Sequence, residues 1–336
     1  MNFTRRDLGS ALLAAVPLAK TLGAVNSKFG GVQIGAITYS FREMHDLDTI
    51  IAAMVKCGLG EAELMSNQAE ADAGAPTPAR PQFGPGGPRP GGPGGPRPAA
   101  AAPGPRPRVA RPPMTEEQIA AARERNAPLR DWRLSVSMDK FKDVRKKFDN
   151  AGIDVRILCF NMNEAITDEE IDYAFRMANA LGSRAISTTT QLTVSKRVAP
   201  FADKYKMMVG YHGHDATWDP NEFATPESFA TAMSYSKYNG VNLDIGHFTA
   251  AGYDPVAYIK EHHARITNLH LKDRKKDHGP NTPWGQADTP IKQVLLLLKE
   301  TKYPIPANIE YEYGRPGMDT IEEVTKCVQY CKEVLA

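Results

Sequence analysis

Short apolar runs alternate with longer amphipathic stretches along most of this chain. The short runs are rich in β-branched residues and predict strands, whereas apolar residues at helical spacing predict helices between them. Eight strands are predicted in this way, at residues 32–40, 61–65, 155–160, 184–189, 207–212, 241–246, 266–271 and 307–313. Eight strands that are each followed by a helix are typical of a closed (β/α)8 TIM barrel.

An open, doubly wound α/β sheet is the alternative arrangement of such units. That fold binds nucleotides through a glycine-rich turn after its first strand. This chain has "ITYSFRE" at the corresponding place, residues 37–43. The pattern therefore favours the barrel over the open sheet.

The first 24 residues depart from the alternating pattern. Arg5 and Arg6 precede an apolar run at residues 8–19 that is too short for a stable membrane span. The "TRRDLG" start resembles a twin-arginine export signal. We therefore expect a signal at 1–24, a periplasmic location and no stable membrane anchor after processing. A general secretory signal or an uncleaved anchor is the alternative.

Residues 73–113 depart from the pattern in a different way. Glycine and proline dominate there, six arginines occur, and no acidic residue is present. Such a segment buries too little apolar surface to offset its conformational entropy, which predicts a disordered insertion after strand 2. A lid or a partner contact is the alternative. The remaining segments, 25–72 and 114–336, are predicted to form one barrel domain.

Charge and cysteine content exclude some classes of protein. The chain has 336 residues and a net charge of +2, whereas the six arginines of the insertion alone carry +6. The rest is mildly acidic, which argues against a nucleic-acid-binding surface. The four cysteines have neither zinc-site nor CxxC spacing.

Polar side chains follow the ends of several predicted strands. The carboxyl ends of barrel strands meet at one mouth, so these side chains are expected to lie close together. They are Glu63, His212, His214, Asp244, His247, His270, Lys272, Glu310 and Glu312. Imidazole and carboxylate groups suit Mn²⁺, Zn²⁺, Co²⁺ or Fe²⁺. We predict one divalent ion, with Mn²⁺ as the first expectation, held by a histidine, an aspartate, a histidine and a glutamate from four consecutive strands.

Four strings in the second half of the chain resemble the xylose isomerase-like TIM barrel superfamily, specifically its sugar phosphate isomerase/epimerase group, which shares its fold with endonuclease IV. They are "YHGHD" (211–215), "LDIGH" (243–247), "HLKD" (270–273) and "IEYE" (309–312). The resemblance implies that Asp244, His270 and Glu310 bind the metal. The fifth-strand ligand, typically a glutamate, falls on His212. His214 and Glu312 stay open as alternatives to His212 and Glu310, because residues two apart share a face.

The resemblance, together with the positions of residues at strand ends and in the loops after them, predicts roles in catalysis and substrate binding. Catalytic residues are expected at Glu310, His212, His247 and Lys272. Substrate contacts are expected at Glu63, His214, His247, Lys272, Trp284 and Arg315. Trp284 could stack on a sugar ring, and Arg315 could bind a phosphate or a hydroxyl.

The implied function is that of an isomerase or epimerase that removes the proton next to the carbonyl of a keto-sugar or sugar derivative. The missing fifth-strand carboxylate gives weight to a lyase of the inosose dehydratase or 3-keto-glycoside eliminase type. A non-catalytic sugar-binding protein is a further alternative, and an endonuclease is disfavoured. The expected partner is a small-molecule carbohydrate, and the sequence leaves room for a homo-oligomer.

Overall fold

The computed structural model describes residues 25–76 and 109–336. The predicted signal at 1–24 lies outside the described residues, and so do residues 77–108 of the predicted insertion. Both assignments stay predictions.

Eight parallel strands form a closed barrel in which each strand pairs with the next one along the chain. Strand β8 pairs back with β1 through Ile34 and Ala307, which closes the sheet. The strands are β1 (Val32–Ile37), β2 (Glu61–Met65), β3 (Asp154–Cys159), β4 (Ala185–Thr188), β5 (Met208–His212), β6 (Asn239–Asp244), β7 (Ile266–Leu271) and β8 (Ala307–Ile309). The predicted (β/α)8 TIM barrel is confirmed, and an additional two-residue strand, Lys28–Phe29, pairs antiparallel with β1.

Helices surround the barrel and cover the outward faces of its strands. They are α1 (Leu47–Cys57), α2 (Ser66–Asp72), α3 (Glu116–Arg125), α4 (Ala127–Ser135), α5 (Asp139–Asn150), α6 (Asp168–Ala180), α7 (Leu192–Tyr205), α8 (Pro226–Tyr235), α9 (Ile245–Ala250), α10 (Pro255–His262), α11 (Ile291–Thr301) and α12 (Thr320–Leu335). Short 3₁₀ turns occupy Thr38–Phe41 and His263–Arg265. No helix in the described part of the chain is long and apolar enough to span a membrane.

Strands β6 and β8 are among those that end earlier than the sequence pattern predicts, and side chains explain these two ends. Strand β6 ends at Asp244 because its carboxylate accepts the N–H of His247 at 2.7 Å and caps helix α9. Strand β8 ends at Ile309, where the Ser40 hydroxyl donates to the Ile309 carbonyl at 3.1 Å. The same hydroxyl accepts the Tyr311 N–H at 2.9 Å. Glu310 and Glu312 therefore lie in the segment just after β8.

Residues 109–113, the end of the predicted insertion, are included in the described part of the structure. The Arg111 N–H donates to Asp219 Oδ2 at 2.9 Å, and the Met114 N–H donates to Glu164 Oε2 at 2.8 Å. Asp219 and Glu164 lie in the loops after β5 and β3. The chain therefore returns from the insertion attached to loops at the mouth of the barrel.

Candidate metal centre

Four buried side chains converge at the mouth, one from the end of each of four consecutive strands. One ligand atom from each lies within 4.8 Å of all the others, and the residues are His212, Asp244, His270 and Glu310. We call this set the four-residue cluster. His212 Nε2 is 3.6 Å from Asp244 Oδ2, and His270 Nδ1 is 3.0 Å from Glu310 Oε2.

The atoms that face the centre of the cluster have close charged neighbours but no hydrogen bond of good geometry. Each member has one buried atom with no hydrogen-bond partner among the described residues, namely His212 Nε2, Asp244 Oδ2, His270 Nδ1 and Glu310 Oε2. The Lys272 ammonium partly compensates the two carboxylate oxygens, at 3.0 Å from Asp244 Oδ2 and 2.9 Å from Glu310 Oε2. A divalent ion would be a partner common to all four atoms. Two imidazole nitrogens and two carboxylate oxygens fit a divalent transition-metal ion.

Lys272 is the positive charge beside this cluster. Its ammonium lies 3.0 Å from Asp244 Oδ2, 2.9 Å from Glu310 Oε2 and 2.6 Å from Glu312 Oε2. Burial lowers the pKa of Lys272, but the three carboxylates outweigh burial and raise it above its ordinary value. Lys272 therefore stays charged, and two of its three carboxylate partners, Asp244 and Glu310, are themselves members of the cluster.

Asp273, the neighbour of Lys272, does not take part in that pairing. Its carboxylate accepts the backbone N–H groups of Gly285 at 2.7 Å and Gln286 at 3.1 Å. It also accepts those of Ala287 and Thr289, at 3.2 and 3.3 Å. Asp273 thus holds the loop that follows β7.

His247 lies beside the cluster and is held through one ring nitrogen. Its Nδ1 is 3.1 Å from Asp215 Oδ1 and also contacts Arg274 Nη1. Arg274 in turn makes a two-pronged ion pair with Asp215, at 3.0 and 3.1 Å. Burial raises the pKa of Asp215, but His247 and Arg274 outweigh it and hold that pKa below its ordinary value. Asp215 and Arg274 are not among the site residues predicted from sequence.

A cavity of about 410 Å³ opens above the cluster. Of the predicted substrate contacts, His214, His247 and Lys272 line it, and Glu312 lines it as well. His214 packs edge-on against His212 with ring centroids 4.9 Å apart, and its Nδ1 is 3.4 Å from Glu222 Oε2. The cavity has further lining residues that the sequence analysis missed: Ile37, Tyr39, Met65, Cys159, Asn161, Thr189 and Asn242.

The other three predicted substrate contacts do not line this cavity. Glu63 is fully buried below the cluster and its oxygens are already hydrogen-bonded, so we correct its predicted contact with substrate. Trp284 packs edge-on against Tyr330 of α12, with ring centroids 5.7 Å apart. Arg315 is exposed in the loop after β8. Neither side chain lines the cavity, and these two substrate contacts stay predictions.

Comparison with known proteins supplies the family. The family model described as xylose isomerase-like TIM barrel matches residues 122–331 of this chain. The chain belongs to the xylose isomerase-like TIM barrel family. The resemblance predicted from the four strings is confirmed.

Among solved structures, members of this fold cover most of the chain at low identity. A sugar phosphate isomerase/epimerase from Parabacteroides distasonis is 17% identical, with a TM-score of 0.56, and the match covers 94% of this chain and 99% of that one. The IolI protein with a bound zinc atom is 12% identical, with a TM-score of 0.56, and the match covers 90% and 98% of the two chains. At these identities the similarity shows the fold alone.

The curated relatives match a shorter part of this chain than the solved structures do. An inosose dehydratase from Clostridium tetani is 26% identical over 159 residues, which is 42% of this chain and 52% of the relative. A second inosose dehydratase, from Clostridium botulinum, is 28% identical over 151 residues, 39% of this chain and 49% of the relative. This chain thus spans about half the length of the curated relatives that it matches.

The two histidines of the cluster have different surroundings in this family member. Burial lowers the pKa of His212 to about 4, so its imidazole is neutral at ordinary pH. Burial also acts to lower the pKa of His270, but Glu63 and Glu310 outweigh it and raise that pKa. A metal ion needs a neutral imidazole, so binding at His270 must displace a proton.

Proposed function

We propose that this chain is a divalent-metal-dependent enzyme that removes the proton next to the carbonyl of a keto-sugar or sugar derivative, as an isomerase or epimerase. The observation that carries the proposal is the convergence of two imidazole and two carboxylate ligand atoms, all within 4.8 Å of one another, below a cavity of about 410 Å³. The zinc atom bound to the IolI relative supports a divalent ion. Mn²⁺ stays our first expectation, with Zn²⁺, Co²⁺ and Fe²⁺ as alternatives.

His212, Asp244, His270 and Glu310 would hold the ion. A bound divalent ion would polarise the substrate carbonyl and stabilise the negative charge that develops when the adjacent proton leaves. Lys272 stays charged between three carboxylates and can donate a hydrogen bond to a substrate oxygen in the cavity.

His247 and His214 are the cavity's imidazoles outside the cluster, and we assign proton transfer to them. Contacts to Asp215 and Arg274 occupy His247 Nδ1, so Nε2 is the nitrogen left for substrate. Within the described residues Nε2 makes no hydrogen bond, so it can hold or take a proton there. Glu310, which was also predicted to be catalytic, would act as a ligand, with its Oε2 2.9 Å from the Lys272 ammonium.

Elimination is the second candidate outcome, and His212 favours it. An imidazole stands where a second carboxylate would allow proton exchange from both faces of the substrate. One base on one face suits removal of a proton followed by loss of a neighbouring hydroxyl as water. The inosose dehydratase relatives support this alternative. A sugar-binding protein without catalysis would be favoured only if the purified protein holds no metal.

One experiment separates these outcomes. The purified protein is analysed for metal, loaded with Mn²⁺ or Zn²⁺, and incubated in D₂O with a panel of keto-sugars and keto-inositols. For an isomerase or epimerase, we expect a product with the same atoms as the substrate except for deuterium next to the carbonyl. For a dehydratase, we expect a product that has lost one water. Asp244→Asn serves as the inactive control. No bound metal and no exchange across the panel would contradict the proposal.

The predicted signal adds a proposal about location. If residues 1–24 direct export, the enzyme acts on sugars outside the cytoplasm. A fusion of these residues to a reporter, with an Arg5→Lys and Arg6→Lys control, tests export by the twin-arginine route. A reporter that stays in the cytoplasm would contradict it.

A further inference from the structure

A single carboxylate, that of Glu63, lies inside the barrel just below the four-residue cluster. It is fully buried, and five side chains from four other strands donate hydrogen bonds to it. The donors are Ser187 Oγ, Asn242 Nδ2 at 3.3 Å, Asn268 Nδ2 at 2.8 Å, His270 Nε2 at 2.7 Å and Asn308 Nδ2 at 3.1 Å. Glu63 on β2 thus connects strands β4, β6, β7 and β8 at one point.

The three asparagines occupy equivalent positions in their strands. Each lies two residues before a member of the cluster, in the tripeptides Asn242-Leu243-Asp244, Asn268-Leu269-His270 and Asn308-Ile309-Glu310. Residues two apart point to the same side of a strand, so one layer of asparagines lies directly below one layer of cluster residues. The amide layer surrounds Glu63 and fixes where its carboxylate can lie.

The hydrogen bonds to Glu63 determine how the His270 ring is used. A carboxylate surrounded by amide and hydroxyl donors is an acceptor, so His270 Nε2 must carry a hydrogen and donate it. The other nitrogen, Nδ1, is then the one with a lone pair in the neutral ring. Nδ1 is also the buried ring atom that faces the cluster, 3.0 Å from Glu310 Oε2.

We propose that Glu63 is a positioning residue that fixes the His270 tautomer and ring orientation, so that Nδ1 is the metal ligand. The inference rests on the proposed metal site. Carboxylates that accept the second N–H of a ligating histidine set its orientation and raise its basicity, and their loss typically costs roughly 10–100-fold in metal affinity. Glu63 does not line the cavity, and among the four cluster residues its hydrogen bond is to His270.

The tautomer can be measured without any variant. In the Zn²⁺-loaded protein with ¹⁵N-labelled histidines, long-range ¹H–¹⁵N spectra distinguish protonated, free and metal-bound ring nitrogens. We expect a proton on Nε2 and metal on Nδ1 of His270, assigned by the signals that His270→Gln removes. A protein that binds no Zn²⁺ would overturn the proposed function. A protein that binds Zn²⁺ with the His270 proton on Nδ1 would overturn this inference alone.

A matched pair of variants tests the effect on affinity. In Glu63→Gln one accepting oxygen is replaced by an NH₂ that meets the asparagine donors, so His270 loses its fixed orientation. We expect the Kd for Zn²⁺ and for Mn²⁺, each measured alone by chelator competition, to rise roughly 10–100-fold. Glu61→Gln changes a carboxylate two residues away on the same strand and should leave both Kd values unchanged.

Equal Kd values for wild type, Glu63→Gln and Glu61→Gln would contradict the positioning role. Equal losses in both variants would also contradict it, because a general loosening of strand β2 would then explain the effect. If Glu63→Gln does not fold, the tautomer measurement on wild type decides.

Discussion

Glu61 and Glu63 lie two residues apart on strand β2, and both are almost completely buried. Their surroundings differ. Glu63 receives five hydrogen bonds, whereas Glu61 Oε1 has no hydrogen-bond partner among the described residues. The nearest cation to Glu61 is Arg156, whose Nη1 is 3.9 Å from Oε2.

The two carboxyl groups consequently differ in charge. Burial raises the pKa of Glu61 to about 8, because the distant Arg156 offsets little of the desolvation. Burial acts in the same direction on Glu63, but His270, Ser187 and Asn308 outweigh it and lower that pKa. Burial alone therefore does not mark a functional acid. The hydrogen-bond donors and cations around a buried carboxyl group determine whether it stays ionised.

The same contrast separates the two ends of the barrel. At the mouth, Lys272 approaches two cluster carboxylates to within 3.0 Å and keeps them ionised. At the other end, around the start of β2, no cation in the described part of the chain comes as close to Glu61. We therefore expect substitutions at the mouth to change metal binding and catalysis, and substitutions elsewhere in the barrel to change stability.

His270→Gln should have the largest functional effect. Gln can still donate a hydrogen bond to Glu63, so the fold should persist, but the ligand nitrogen is lost. We expect metal affinity to fall by more than the roughly 10–100-fold typical of outer-shell changes, and activity to disappear. Metal content, circular dichroism and turnover measure this. His263→Gln is the control for loss of a histidine elsewhere in the protein. The His263 ring stacks on Tyr303, with ring centroids 4.0 Å apart. Stoichiometric metal with wild-type turnover in His270→Gln would refute the site.

Lys272→Met should separate stability from metal affinity at the mouth. Three carboxylates lose their buried cation, and breaking such pairs typically costs about 3–5 kcal/mol, so the metal-free variant should unfold more easily. A divalent ion no longer competes with an ammonium for Asp244 Oδ2 and Glu310 Oε2, so metal should bind more tightly and restore stability. Thermal unfolding with and without Zn²⁺ measures both effects. Weaker Zn²⁺ binding in the variant would show that Lys272 does not compete with the ion.

Leu269→Ala tests the opposite face of the same strand. Leu269 precedes His270, points to the helices and is fully buried. Its truncation should cost about 2–5 kcal/mol of unfolding free energy through lost burial and a cavity. The Kd for metal at a temperature where the variant is folded should stay near that of wild type. A large change in the Kd for metal would mean that the helix-facing and cavity-facing sides of β7 are coupled. Metal binding and stability could then not be changed separately.

The sequence predicted the barrel because strand and helix periodicities are local properties. It also predicted that His212, Asp244, His270 and Glu310 come from consecutive strand ends, and the structure brings them together. The Asn-apolar-ligand tripeptides were visible as well, and two-residue periodicity places each asparagine below a ligand. Their significance was missed because it depends on a partner, Glu63, that is more than 170 residues away in sequence from Asn242.

Two kinds of residue could not be placed from sequence. The role of Arg274 depends on the path of the loop after β7, which Asp273 fixes through backbone N–H groups. Trp284 and Arg315 lie in loops, where no periodicity indicates the direction of a side chain. Choosing between Glu310 and Glu312 likewise depended on where β8 ends.

Glu61→Gln should have the smallest effect, and it tests the comparison directly. The ordinary pKa of this carboxyl is 4.5 and the folded value is about 8, so between these pH values the folded state binds one more proton than the unfolded state. Glu61 therefore lowers stability progressively as pH rises through this window. The variant lacks this loss, so its Tm should exceed that of wild type by a few degrees near pH 8 and converge toward it near pH 5. Other titrating groups are common to both proteins and cancel in the difference. Parallel Tm profiles across the window would show that Glu61 is ionised like Glu63, and the contrast between the two carboxyl groups would not hold.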